Sequence, residues 1–148
     1  MATTTATITI ASDITDYGIN INKTMTMTKA DTTIGLEETT GLASQSFAAV
    51  TQVVLIDVSA TAVTAAAGGH KVYIRNTGTD KAEHFKITLA DTTDDTEEIG
   101  RLYGGDWMFL PWNMDDATHD LEVTSYVGTN TIEWVKFHEN ETLATQGD

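Results

Sequence analysis

Val50-Thr51-Gln52-Val53-Val54-Leu55-Ile56-Asp57-Val58 is the stretch on which the fold turns. Together with Phe47, its Val50 and Val54 also fit a helical stripe, so periodicity alone leaves helix and strand in competition. Six of the nine side chains are β-branched, namely Val50, Thr51, Val53, Val54, Ile56 and Val58. Such side chains lose rotamer freedom against a preceding helical turn and pack well on a pleated surface. The stretch therefore predicts a buried central strand.

Strand signals continue towards the C-terminus at short, regular spacing. Lys71–Asn76, Glu83–Ala90, Glu97–Tyr103, Trp107–Trp112, Asp120–Tyr126 and Thr131–Glu139 are each bounded by Gly, Asn, Asp or Thr clusters with turn chemistry. The single proline, Pro111, closes one of these strands, where a missing N–H costs least. Residues 60–67, rich in alanine and followed by Gly68-Gly69, read as a short helix or a loop. Seven strands between residues 50 and 140, with no alternation of strand and helix, predict an all-β chain forming a single β-sandwich, of jelly-roll or immunoglobulin-like type.

Towards the N-terminus, residues 3–10 and 19–29 alternate threonine or asparagine with apolar side chains. In the second of these, Ile19, Ile21, Met25 and Met27 share one face and Lys23 interrupts it, as on an edge strand or a strand lying over another chain. Residues 29–45 lack a strong period and read as a loop or extended connector. The expected organisation is an N-terminal extended arm or set of edge strands over 1–45 and a sandwich core over 46–148.

Composition narrows the function classes. The 148 residues carry 22 acids against 8 bases, a net charge of −14. That disfavours nucleic acid, whose phosphates need clustered Lys and Arg, and disfavours an anionic membrane surface. The absence of cysteine excludes disulfides, thiolate metal sites and cysteine nucleophiles. Threonine, with 28 copies against 5 serines, supports β-structure with a polar exterior. The N-terminus lacks a basic segment followed by a continuous apolar stretch, so folding in the cytosol is expected.

Candidate chemistry is sparse. Asp91, Asp94, Asp95 and Glu97 lie close enough in sequence to offer oxygens to a cation such as Ca²⁺, but without the glycine of a calcium-binding loop they read as a solvated hairpin tip. Asp115, Asp116, His119, Asp120 and Glu122 form a second acidic group with one imidazole, again better read as a turn. His70, His84, His119 and His138 show neither H-x-H nor H-x-x-x-H spacing, and no G-x-S-x-G occurs. No catalytic residue, metal site or cofactor is expected, and the chain is read as a non-enzyme. The aromatic strand Trp107-Met108-Phe109-Leu110-Pro111-Trp112 is apolar on both faces, as in a central strand or an interface between chains. Interface candidates are therefore Ile19, Ile21, Met25, Met27, Trp107, Phe109 and Trp112. Trp107, Trp112 and Trp134 also qualify as stacking platforms for sugars.

Several motifs of the C-terminal half share their order with a known group. His70-Lys71-Val72-Tyr73-Ile74-Arg75-Asn76-Thr77-Gly78, Ile99-Gly100-Arg101-Leu102, the turn Gly104-Gly105-Asp106 leading into Phe109-Leu110-Pro111-Trp112, and Ile132-Glu133-Trp134-Val135 with Glu139 resemble segments of small tailed-bacteriophage virion proteins of β-sandwich type. Gly104-Gly105-Asp106 stands where that pattern usually has Pro-Gly-Glu. The resemblance implies a capsid decoration (cement) protein on the phage head shell, made in the host cytoplasm and located in the virion. Its implied partners are the major capsid protein or other virion proteins and further copies of itself, a trimer being the family's habit. The alternative expectation is a carbohydrate- or receptor-binding β-sandwich module of a phage tail or head fibre.

Overall fold

A computed structural model describes residues 3–12, 19–28, 35–39, 41–56, 70–90, 96–112 and 120–140. Every regular element among them is a strand, and all paired strands run antiparallel. In chain order these are β1 (Thr3–Ser12), β2 (Ile19–Thr28), β3 (Gly35–Thr39), β4 (Ala43–Phe47), β5 (Gln52–Ile56), β6 (His70–Asn76), β7 (His84–Ala90), β8 (Thr96–Tyr103), β9 (Trp107–Trp112), β10 (Asp120–Tyr126) and β11 (Asn130–Asn140). No helix among the described residues is long and apolar enough to cross a membrane.

Two sheets make a sandwich. One has the order β5-β10-β7-β8; the other runs β3-β11-β6-β9, with β4 also paired to the long β11. Strands β4 to β11 thus divide between the sheets as 4-11-6-9 and 5-10-7-8, which is the eight-stranded jelly roll rather than the immunoglobulin arrangement. Period-2 alternation fills the space between the sheets. Val72 and Ile74 from β6, Phe85 and Ile87 from β7, Leu121 and Val123 from β10 and Ile132 from β11 are completely buried. Each contributes about 1.5–3 kcal/mol by leaving water. Phe47 meets Phe85 edge-on at 6.2 Å between ring centroids, joining β4 to the opposite sheet.

Within the deciding stretch β5 covers Gln52–Ile56, and Asp57 and Val58 lie outside the described residues. Val50 lies instead in the preceding turn with φ of 60°, its N–H donating to the Ser125 carbonyl at 2.6 Å. Residues 29–45, read as a loop or connector, contain β3 and the start of β4, each pairing a different part of β11. Their pattern escaped notice because Ser44, Gln45 and Ser46 are exposed on an edge strand with one sheet neighbour. The expected boundary at residues 45 and 46 falls inside β4, and residues 60–67 lie outside the described ones.

The N-terminal strands stand apart from the sandwich sheets. β1 and β2 pair in register along their whole length as a two-stranded ribbon, Thr3 opposite Thr28 through to Ser12 opposite Ile19. Alternation places Ala6, Ile8 and Ile10 on one face with Ile21, Lys23 and Met25 across from them. The other face carries Thr5, Thr7 and Thr9 with Asn20, Asn22 and Thr24, and the Thr7 and Thr24 hydroxyls lie 3.0 Å apart.

Candidate functional site

The outer face of the β11-β6-β9 sheet carries an unusual density of rings. Because Val72 and Ile74 point inward, Tyr73 and Arg75 point outward; in register beside them stand Phe109 and Trp107 of β9 and Val135 of β11. Phe137 continues the row opposite Lys71. Strand β9 is the edge of its sheet and uses both faces. Met108 and Leu110 pack on the core, whereas Trp107 is 48% exposed and Phe109 half-buried on the outside. Tyr73 and Trp107 lie 6.2 Å apart with their planes tilted by 34°.

Residues Thr5–Ile8 of β1 lie across this outer face and complete a cleft of about 540 Å³. Its lining contains one charged group, Arg75, among aromatic, aliphatic and threonine side chains. Such a cleft accepts a flat ring by stacking or an apolar strand by packing. Gly105, also at its rim, occupies the turn that leads into β9 with φ of 86°.

The opposite sheet presents a polar outer face. Glu98 accepts a 2.8 Å hydrogen bond from Arg101 Nε and lies 3.7 Å from Lys86 Nζ. The Arg101 hydrogen bond, followed by the charges of Arg101 and Lys86, holds the Glu98 carboxyl below its ordinary range despite some desolvation. The same hydrogen bond raises the Arg101 guanidinium. Gln52 donates to the Glu122 carboxylate. At one end His84 stacks on Tyr126 at 5.1 Å and 7°, with Tyr103 at 5.1 Å on its other side, and its buried Nδ1 has no hydrogen-bond partner.

Among the interface candidates, Trp107 and Phe109 share the cleft. Trp112 ends β9 in register with His70. Ile21 and Met25 lie on the ribbon face that also carries Ala6 and Ile8, and are 42% and 38% exposed. Ile19 and Met27 occupy the same face by register, opposite Ser12 and Thr4, and their side chains, like that of Trp112, lie outside the described ones. Trp134 is turned inward and packs on the core, which removes it as a stacking platform. Asp91, Asp94 and Asp95 fall outside the described residues; Glu97 is exposed on β8 opposite Leu89. No group of three or more acidic or imidazole side chains placed to hold a metal occurs among the described residues. Tyr73, Arg75, Val135 and Phe137 were not singled out from sequence. Their signal was parity: Tyr73, Arg75 and Val135 each sit between two inward-facing positions of their strand, and Phe137 follows the buried Lys136.

No family model and no curated protein matches the chain. Among solved structures, a chain from "Bacillus endospore appendages form a novel family of disulfide-linked pili" has 10% identity and a TM-score of 0.49, covering 78% of this chain and 93% of that one. A chain from the infectious bursal disease virus Gx strain structure has 10% identity and a TM-score of 0.22, covering 97% of this chain and 37% of its own length. Neither likeness assigns a property to this chain, which lacks the cysteines a disulfide linkage requires.

Proposed function

We propose that the chain is a non-enzymatic structural subunit of a tailed-phage particle, a decoration protein seated on the head shell. The observation that carries this reading is the exposed Trp107 on an aromatic outer sheet face, only partly covered by the chain's own ribbon. Apolar surface of this kind, on a chain whose −14 charge keeps it soluble, is what a protein needs to dock on another protein. The motif resemblance of residues 70–139 supplies the phage context. The partners on this reading are the major capsid protein and further copies of the chain, and its location is the virion.

Cryo-electron microscopy and mass spectrometry of purified particles test the reading. The chain is expected at a fixed copy number on the head, and Trp107→Ala is expected to weaken its occupancy tenfold or more, since a buried interface tryptophan contributes about 2 kcal/mol or more. Purified particles without the chain would refute it.

The cleft itself favours a second reading, a carbohydrate- or receptor-binding module. Tyr73, Trp107 and Arg75 offer two rings and a guanidinium around an open volume of about 540 Å³. A glycan array separates the readings: specific sugar binding that disappears in Trp107→Ala and leaves particle occupancy intact supports the module.

A further inference from the structure

The edge strand of a sheet presents a row of N–H and C=O groups that a further strand can pair, and folded chains guard such edges with charges, prolines or bulges. Four of the five edge strands described in the sandwich are guarded in this way. β8 carries Glu97, Glu98 and Arg101, β9 carries Pro111, and β3 carries Glu37 and Glu38. β5 bulges against β10, its register shifting between Leu121 and Glu122. β4 has none of these devices. It reads Ala43-Ser44-Gln45-Ser46-Phe47, and its register with β11 is regular from Ala43 opposite Trp134 to Phe47 opposite Asn130. Ser44, Gln45 and Ser46 are exposed.

The surroundings of β4 are as neutral as the strand itself. Residues 41–56 and 123–132 contain no Asp, Glu, Lys, Arg or His, in a chain of which 20% is charged. The bond from Val50 N–H to the Ser125 carbonyl joins the two segments at one side of the sandwich. The neighbouring acids are few. Glu133 stands one strand inward on β11, opposite Ser44, and Glu122 stands one strand inward from β5 and accepts from Gln52. Glu38 precedes β4 on β3, and Asp57 follows β5 outside the described residues. A −14 chain would grip a foreign strand best by setting its acids against that strand's bases, and this edge has no acid to offer. A second copy sets the opposite requirement. Across a two-fold axis each charge meets its own sign, so with 22 acids and 8 bases the self-complementary edge is the uncharged one.

We propose that β4 pairs antiparallel with β4 of a second copy, about a two-fold axis at Gln45, so that the two sheets become one. This register sets Ser44 opposite the partner's Ser46 and Ala43 opposite the partner's Phe47. One step further, Leu42, 65% exposed, falls beside the partner's Ala48, at the start of the turn that carries the exposed Val50. Glu38 runs past the end of the partner's β4 instead of across it. The two copies of Glu133 are separated by three strand spacings, about 14 Å, against a Debye length of about 8 Å at physiological salt. The inference rests on the reading of the chain as an assembly subunit and names the surface of its self-contact. That surface is the edge of the sheet opposite to Trp107.

The full chain is used for the test, and because it has no cysteine a single introduced thiol reports its own contacts. Facing residues of an antiparallel pair hold their Cβ atoms about 4.5–5.5 Å apart, so Gln45→Cys is expected to close a disulfide between copies under oxidised glutathione. Glu97, exposed on the far edge strand β8, is the control position. Gln45→Cys is expected to link at least tenfold faster than Glu97→Cys. In sedimentation velocity the native chain is expected to form a dimer, tighter at high salt because screening removes repulsion. Gln45→Lys and Glu97→Gln each make the chain less negative by one charge. Gln45→Lys is nevertheless expected to weaken the dimer at least tenfold with an unchanged circular dichroism spectrum, and Glu97→Gln to leave it as tight or tighter. A monomer up to millimolar concentration, or equal linking at positions 45 and 97, overturns the inference even if the chain is found on particles. Fast linking at position 45 in a chain absent from particles leaves the inference standing and removes the virion reading. Weakened shell binding by Gln45→Lys with an unchanged dimer assigns the edge to a strand of the shell and also overturns it.

Discussion

Val50 and Val127 hold φ of 60° and 59°, left-handed backbone that a branched L side chain adopts at a cost of about 1–2 kcal/mol. Both are exposed, at 75% and 60%, so burial does not offset that cost. Val127 precedes Gly128, also left-handed, in the turn from β10 to β11, and the buried Asn130 amide closes that turn by donating to the Tyr126 and Val127 carbonyls and to Ser125 Oγ. Val127→Asn places a residue tolerant of this backbone before the glycine, and urea unfolding is expected to show a gain of about 0.5–1 kcal/mol. Asn76 works between the sheets: its Nδ2 donates to the Leu102 carbonyl of the opposite sheet at 3.0 Å and its Oδ1 accepts from Gly78 N–H at 2.9 Å. Asn76→Ala strands both partners, and a loss of about 1–3 kcal/mol is expected in the same measurement. Glu98, held below its ordinary range, contributes stability that is full above the unfolded carboxylate value of about 4.3 and lost as pH falls through its lower folded value. Melting curves of the native chain and Glu98→Gln are therefore expected to differ at pH 7 and to converge at acid pH. The Asn76 bond to Leu102 was not legible in sequence because it joins the two sheets across 26 residues; the Asn130 turn and the Glu98–Arg101 pair join residues three to five apart, but they form only in the backbone conformation that the turn and strand adopt.

At the scale of elements, alternation told which positions face the core but not what lies over the other face. It located β6 to β11 closely, since their inward side chains are aliphatic and their turns rich in Gly, Asn and Asp. It missed β3 and β4, whose edge positions carry few apolar side chains, and it began β5 two residues too early. The two-faced character of Trp107–Trp112 was visible, and the structure shows an edge strand packed inside by Met108 and Leu110 and lying outside under β1. The turn between β8 and β9 is set by Gly104, where an added methyl group would stand 2.5 Å from the Asp80 carbonyl oxygen and 2.8 Å from its nitrogen. Gly104→Ala is expected to cost about 1–3 kcal/mol in urea unfolding, since backbone lies on the colliding side. Gly100→Ala, with nothing within 4 Å, is the matched control and is expected to leave stability nearly unchanged.

At the scale of the molecule, a −14 chain is stabilised against its own repulsion by a core that includes ten buried apolar side chains among the described residues. Screening relieves that repulsion, so the melting temperature at pH 7 is expected to rise when sodium chloride is added, read by differential scanning calorimetry. The two outer faces differ in kind, although the first also carries the Tyr103–His84–Tyr126 stack at one end and the second carries Glu133. The outer face of the β5-β10-β7-β8 sheet holds the ion pairs of Glu98, and the outer face of the other sheet holds the aromatic cleft.

The sequence by itself determined that the chain is all-β and forms a sandwich, because β-branched content, period-2 alternation and turn residues act over a few neighbouring positions. It also placed Trp107 and Phe109 among the interface candidates from local apolarity. Only the tertiary structure decided between jelly-roll and immunoglobulin order, brought Tyr73, Arg75, Trp107 and Phe109 to one face, and laid β1 across them. Those features depend on which distant strands pair, and pairing is settled by the packing of whole sheet faces rather than by any short stretch of chain.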